Sequence, residues 1–166
     1  MPITAVWLTH ARGADLALLA PFRKSLRALE MFHFPATDDE FLALGALPEL
    51  RSLAVGNTEL SDRIAPQLLL YPKLETLHVG NTQFTVASFA TIIQLKSLQR
   101  LCLDGMTLSA TDLQQLKSLS LRELSLVGVK QIGDEQVPLL TDFPEIEKLN
   151  LSRTAISDAA VSRLQA

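Results

Sequence analysis

The chain has 166 residues, 48% hydrophobic and 20% charged, which excludes a disordered segment and is enough for one substantial core. Its 15 basic and 18 acidic residues (15 − 18 = −3) argue against nucleic acid as the partner, since phosphate binding needs a basic face. The lone cysteine, Cys102, excludes an intramolecular disulfide and a multi-cysteine zinc site. No run approaches the ~18 apolar residues of a membrane span. The start, MPITAVWLTHARGADLALLAPF, lacks a basic leader followed by a continuous apolar run. No membrane partner and an intracellular (cytoplasmic) location are therefore expected, unless a leader has been removed.

From the first residues onward one pattern returns. Ile3, Val6 and Leu8 stand at relative positions 1, 4 and 6 of a first unit. Leu26, Leu29 and Met31 repeat them, followed by Ala36 near position 11 and by Phe41, Leu42 and Leu44 at helical spacing. The third unit starts at Leu50, with Leu53, Val55 and Leu60; Ser61-Asp62 caps a helix carrying Ile64 and Leu68. The fourth starts at Leu74, with Leu77, Val79 and Phe84. The fifth starts at Leu98, with Leu101, Leu103 and Leu108. There Ser109 and Asp112 resemble a capping box ahead of Leu113 and Leu116. The sixth runs from Leu121 through Leu124 and Leu126, with one extra residue before Ile132 and a Gly133-Asp134 cap. The seventh has Ile146, Leu149, Leu151 and Ile156, then Ser157-Asp158, Val161 and Leu164. Pro48, Pro72 and Pro144 each precede position 1 by two residues, where a helix must end.

Alternation between positions 4 and 6 fits a short strand with one buried face. A fixed period in the twenties signals stacked units. Each unit thus reads as strand, bend, helix and return. The Val-Gly-Asn-Thr segments at 55–58 and 79–82 lack the spacing and lysine of a phosphate loop, and read as structural bends.

This register resembles the leucine-rich repeat family, over about residues 3–166. The form Thr-x-Leu/Ile-Ser-Asp, at Thr58–Asp62 and Thr154–Asp158, is similar to its helix-bearing subclass, which includes ribonuclease-inhibitor-like proteins and F-box receptor repeats. The resemblance implies an α/β fold: a right-handed solenoid of seven strand–helix units in one domain, residues 1–166. Its parallel sheet lines the concave side and its helices the convex side. In that family position 9 is commonly Asn or Cys bonding the bend; here Thr58, Thr82 and Thr154 offer a hydroxyl, and Ala11, Phe34, Met106 and Val129 do not.

Positions 3, 5, 7 and 8 are expected to point out of the sheet. They place Trp7, His10, Phe32 and His33 at an aromatic end, with Glu30 beside them. Gly56 and Gly80 leave an open floor between Asn57, Thr76, His78 and Asn81. Arg100, Cys102, Asp104, Glu123, Lys148, Asn150 and Arg153 follow towards a charged end. Aromatic groups on a polar face are typical interface anchors, and the expected function is a non-enzymatic scaffold binding a protein or peptide. Trp7 and Phe32 have a second reading, as a lid on the first unit's core.

Other readings are weaker. An adaptor domain of a larger assembly, such as a ubiquitin-ligase receptor or a bacterial effector, would share the surface. A thiol enzyme would pair Cys102 with His78, with Asp104 nearby, yet a flat face offers neither deep pocket nor oxyanion donors. His10 and His33 alone make a poor metal site, so no metal and no cofactor are expected. Uncapped solenoid ends make self-association a further expectation.

Overall fold

The computed structural model describes residues 2–9 and 16–162. Seven three-residue strands form one parallel sheet in chain order: β1 (Ala5–Trp7), β2 (Ala28–Glu30), β3 (Ser52–Ala54), β4 (Thr76–His78), β5 (Arg100–Cys102), β6 (Glu123–Ser125) and β7 (Lys148–Asn150). The register follows the repeat. Val6, Leu29, Leu53, Leu77, Leu101, Leu124 and Leu149 pair in sequence, as do their neighbours on either side. The expected strand–helix solenoid of the leucine-rich-repeat type is therefore the fold.

The core explains why the strands form where they do. The fifteen residues at positions 1, 4 and 6 of the five inner units are at most 2% exposed. Position 11 completes it with Ala36, Leu60, Phe84, Leu108 and Ile132, all buried. The terminal units bury less, because each packs against a described unit on one side only. Ile3 is 43% exposed, and Val6, Leu8, Ile146, Leu149 and Leu151 only lean on the core. Val161, expected in the core, is exposed, and Ala160 is buried in its place. Leu164 and Ala11 lie outside the described residues.

Behind the sheet, α1 (Asp38–Leu42), α2 (Phe89–Ile92), α3 (Ala110–Leu116), α4 (Val137–Thr141) and α5 (Asp158–Val161) stack with short 3₁₀ segments. Among the described residues, the first and third units return through 3₁₀ helices, at Leu16–Phe22 and Asp62–Leu70. Each contains a proline, Pro21 or Pro66, which cannot donate to the residue four back and so disfavours an α-helix.

The bends obey a rule that capping alone does not express. The backbone N–H of each cap residue is unsatisfied by the helix it starts. In three bends a carboxylate one unit upstream takes it. Ser61 donates to Asp38 (2.9 Å), Thr85 to Asp62 (2.8 Å) and Ser157 to Asp134 (2.8 Å), and each hydroxyl also donates to that carboxylate. Val86 and Ala110 occupy the equivalent upstream place for the other two inner bends. There the unit satisfies itself: Ser109 donates to Asp112 (2.7 Å) and Gly133 to Gln136 (2.9 Å). Thr37 closes likewise on Glu40 (2.8 Å). Asp38, Asp62 and Asp134, each next to a cap residue, are therefore braces to the following unit rather than part of their own cap.

Inside the bends, Thr58, Thr82 and Thr154 donate to the carbonyls of Val55, Val79 and Leu151 at 2.6–2.7 Å, as their hydroxyls predict. Phe34, Met106 and Val129 instead fill core volume.

Candidate functional site

Parallel pairing turns single residues into columns across the open face of the sheet. Position 3 runs Ala5, Ala28, Ser52, Thr76, Arg100, Glu123, Lys148; position 5 runs Trp7, Glu30, Ala54, His78, Cys102, Ser125, Asn150. Over β4–β7 these side chains enclose a shallow depression of about 360 Å³. Thr76, His78, Arg100, Cys102, Glu123, Lys148 and Asn150 all line it, so seven of the predicted residues meet at one place. Arg100 Nε donates to Thr76 Oγ1 at 2.8 Å, and Lys148 Nζ donates to Glu123 at 2.7 Å. The Lys148 hydrogen bond holds the Glu123 carboxyl below its ordinary range, helped by the charges of Lys148 and Arg100.

The other predicted residues are dispersed. His33 and Asn57 line a separate depression of about 540 Å³ along the bend edge, and Asn81 a third of about 380 Å³. Glu30 is half-buried on β2. Arg153 is exposed in the last bend, where its carbonyl accepts Lys130 Nζ at 2.9 Å. His10 lies outside the described residues.

The expected open floor at Gly56 and Gly80 is filled. Phe32 and His78 meet edge to face over Gly56, with ring centroids 5.0 Å apart at 71°. A Cβ on Gly56 would stand 2.8 Å from His78 Nε2 and 2.9 Å from Phe32 Cε1. At Gly80 it would stand 2.9 Å from the backbone nitrogen of Asp104. Both glycines exist because neighbours close on them. Trp7, by contrast, is 62% exposed, and the core closes without it.

Position 8 has a conformation the sequence only hinted at. His33, Asn57, Asn81, Gly105, Gly128 and Arg153 all have φ between 53° and 74°. Gly and Asn suit that left-handed corner and His tolerates it better than most side chains; Arg153 has no such ease.

At the centre of the face, one ligand atom from each of His78, Cys102 and Asp104 lies within 4.8 Å of the others. Asp104 Oδ1 accepts Ser125 Oγ (2.6 Å) and the Val127 N–H (3.0 Å). Ser125 was not among the predicted site residues; its place in the His78–Cys102 column was the available signal. Burial pushes the Cys102 thiol up to about 12, with the Asp104 carboxylate adding to the rise. Burial also lowers His78, against the pull of Asp104 and Glu30. This is the reverse of an activated thiolate, which needs a depressed pKa.

No family model matches the chain, and no curated protein matches it in sequence. Solved structures do match it. The crystal structure of a pollen receptor kinase 3 is 18% identical, with 95% of this chain and 78% of that chain covered and a TM-score of 0.57. The internalin C2 of Listeria monocytogenes is 19% identical over 91% of this chain and 62% of its own, with a TM-score of 0.55. A leucine-rich-repeat protein of Leptospira interrogans is 20% identical over 86% and 41%, with a TM-score of 0.54. The chain thus spans less than two thirds of either bacterial structure. At these identities the likeness is one of fold, and it agrees with the register, the parallel sheet and the stacked bends: the chain folds as a leucine-rich-repeat solenoid.

Proposed function

We propose that this chain is a non-enzymatic interaction scaffold that binds a protein or peptide segment across the open face of its sheet. The observation that carries this is the depression over β4–β7, where side chains of both charge signs and hydrogen-bonding groups converge on backbone fixed by parallel pairing. Seven strands at ~4.8 Å spacing span about 29 Å, the length of an extended segment of about nine residues. Charge signs alternate along position 3, from Arg100 to Glu123 to Lys148, which suits a mixed peptide better than a phosphate backbone. A thiol kept protonated by burial supports binding over catalysis.

The test is selection from a displayed peptide library, followed by affinity measurements on face and back variants. Arg100→Glu, Lys148→Glu and Trp7→Ala are expected to weaken selected peptides by about tenfold or more, near 1.4 kcal/mol each. Leu69→Ser, on the exposed back of the Asp62–Leu70 segment, should leave them unchanged. Peptides that tolerate all three face variants and fail on the back variant would overturn the proposal.

A further inference from the structure

We infer that His78, Cys102 and Asp104 form a binding site for a borderline divalent metal ion of the zinc class, set into the open face of the sheet. The site is new relative to the scaffold reading and does not depend on it. One imidazole, one thiol and one carboxylate is a donor set that zinc accepts and that calcium or magnesium, which take oxygen ligands, does not favour.

The geometry is close to what such an ion requires. Ligand bonds of about 2.0–2.3 Å around a tetrahedral centre put donor atoms roughly 3.3–3.7 Å apart. Here the three donors already lie within 4.8 Å of one another, so modest side-chain rotation completes the set. The repeat produces this convergence. His78 and Cys102 are paired neighbours at position 5 of β4 and β5, and Asp104 follows two residues later on the same side of the chain.

The surroundings are those of a supported site. Asp104 is anchored by Ser125 Oγ and the Val127 N–H, both of which donate to its Oδ1. His78 is held by the edge-to-face contact with Phe32 over Gly56. Such outer contacts orient ligands and tune affinity in metal sites. All three ligands are half-buried, which limits competition from water without closing the site. On binding, the thiol gives up its proton to solvent as sulfur bonds the metal. Three protein ligands leave a fourth position, and His78 and Cys102 both line the depression through which a water or a partner's donor atom would reach it.

The experiment uses the full chain without a polyhistidine tag. Cobalt titration reads thiolate ligation through a sulfur-to-metal charge-transfer band, and competition with a chromophoric chelator gives zinc affinity and stoichiometry. The wild type should bind one ion per chain and show the band. Cys102→Ser should abolish the band, and His78→Gln and Asp104→Asn should each weaken zinc by at least about tenfold while circular dichroism stays unchanged. His33→Gln, at the bend edge, should bind as the wild type does. Absence of the band in the wild type overturns the site whatever the variants do. Zinc affinity indifferent to both Cys102→Ser and His78→Gln, or lost in His33→Gln, overturns it as well. Failure here leaves peptide binding by the face measurable on its own.

Discussion

Leu77 and its neighbours Thr76 and His78 share one strand and face opposite worlds. Leu77 belongs to a column that is leucine in six of its seven places, with Val6 in the first. The columns on either side hold no such consensus: one passes from Ala5 to Lys148, the other from Trp7 to Asn150. The inward columns must fill one continuous interior, so every unit answers to the unit above and below. The outward columns answer to that interior only through the backbone. They were free to differ from strand to strand, and the binding selectivity proposed above would reside there.

The largest effect expected is inward. Leu77→Ala, at a fully buried central site, should cost about 2–5 kcal/mol in urea unfolding, while Thr76→Ala beside it should stay within about 0.5 kcal/mol. Equal costs at the two sites would erase the distinction between the columns. The outward glycines sharpen it, because they are outward by register and buried in fact. Gly80→Ala presses on the backbone of Asp104 and should cost about 1–3 kcal/mol with no single-residue rescue. Gly56→Ala presses on side chains, so a second change, Phe32→Leu, should recover part of a similar loss.

Two titrating groups extend the test to pH. The Tyr71 phenol, an inward group bonded to Gln67, is pushed up to about 12 by burial, as is the outward Cys102 thiol. Both folded values lie above the ordinary ones of 10.0 and 9.0. Each contribution is therefore complete below the ordinary value and is lost as pH rises from it towards about 12. Stability should fall over that window, and Cys102→Ser should flatten its lower part. At pH 8 alkylation of Cys102 should be at least about tenfold slower in the folded than in the urea-unfolded chain. Equal rates would mean that the thiol is an ordinary surface group.

The braces come next in size. Asp62→Ala leaves the Thr85 N–H without its carboxylate and should cost about 1 kcal/mol in thermal unfolding, the scale of a lost cap. The smallest effect belongs to the exposed ion pairs. Lys73→Ala removes the contact to Glu49 and should leave the unfolding midpoint unchanged.

How much of this was legible follows from the same division. Positions 1, 4 and 6 repeat because burial allows few residue types, so the strands, their register and the columns could be read directly. Thr58 and Thr82 were legible too, since a hydroxyl beside a bend has one obvious use. Gly56 was misread as open space: a glycine says that a Cβ is unwelcome and not which neighbour excludes it, and Phe32 and His78 come from different units. The left-handed corner was visible at Asn57 and Gly105 but hidden at His33 and Arg153, whose identities do not report φ. The braces were hidden because Ser-Asp is a satisfactory local cap, and the long-range partner lies 23 residues away. Of the predicted site, the seven residues over β4–β7 converge; His33, Asn57 and Asn81 turn with the bends to other depressions.

The two ways of closing a bend also determine which units are portable. Units 3, 4 and 7 borrow an acceptor from the unit before them, so moving one without its predecessor leaves a donor stranded. Units 2, 5 and 6 carry their own acceptor in Glu40, Asp112 and Gln136. Duplicating unit 5 or 6, or deleting unit 5, therefore leaves every bend complete, whereas deleting unit 6 takes away the Asp134 that Ser157 needs. Those same units bring Arg100, Cys102, Asp104 and Glu123 to the open face. The stretch that can change length with least damage is the one whose change would most alter what the face presents.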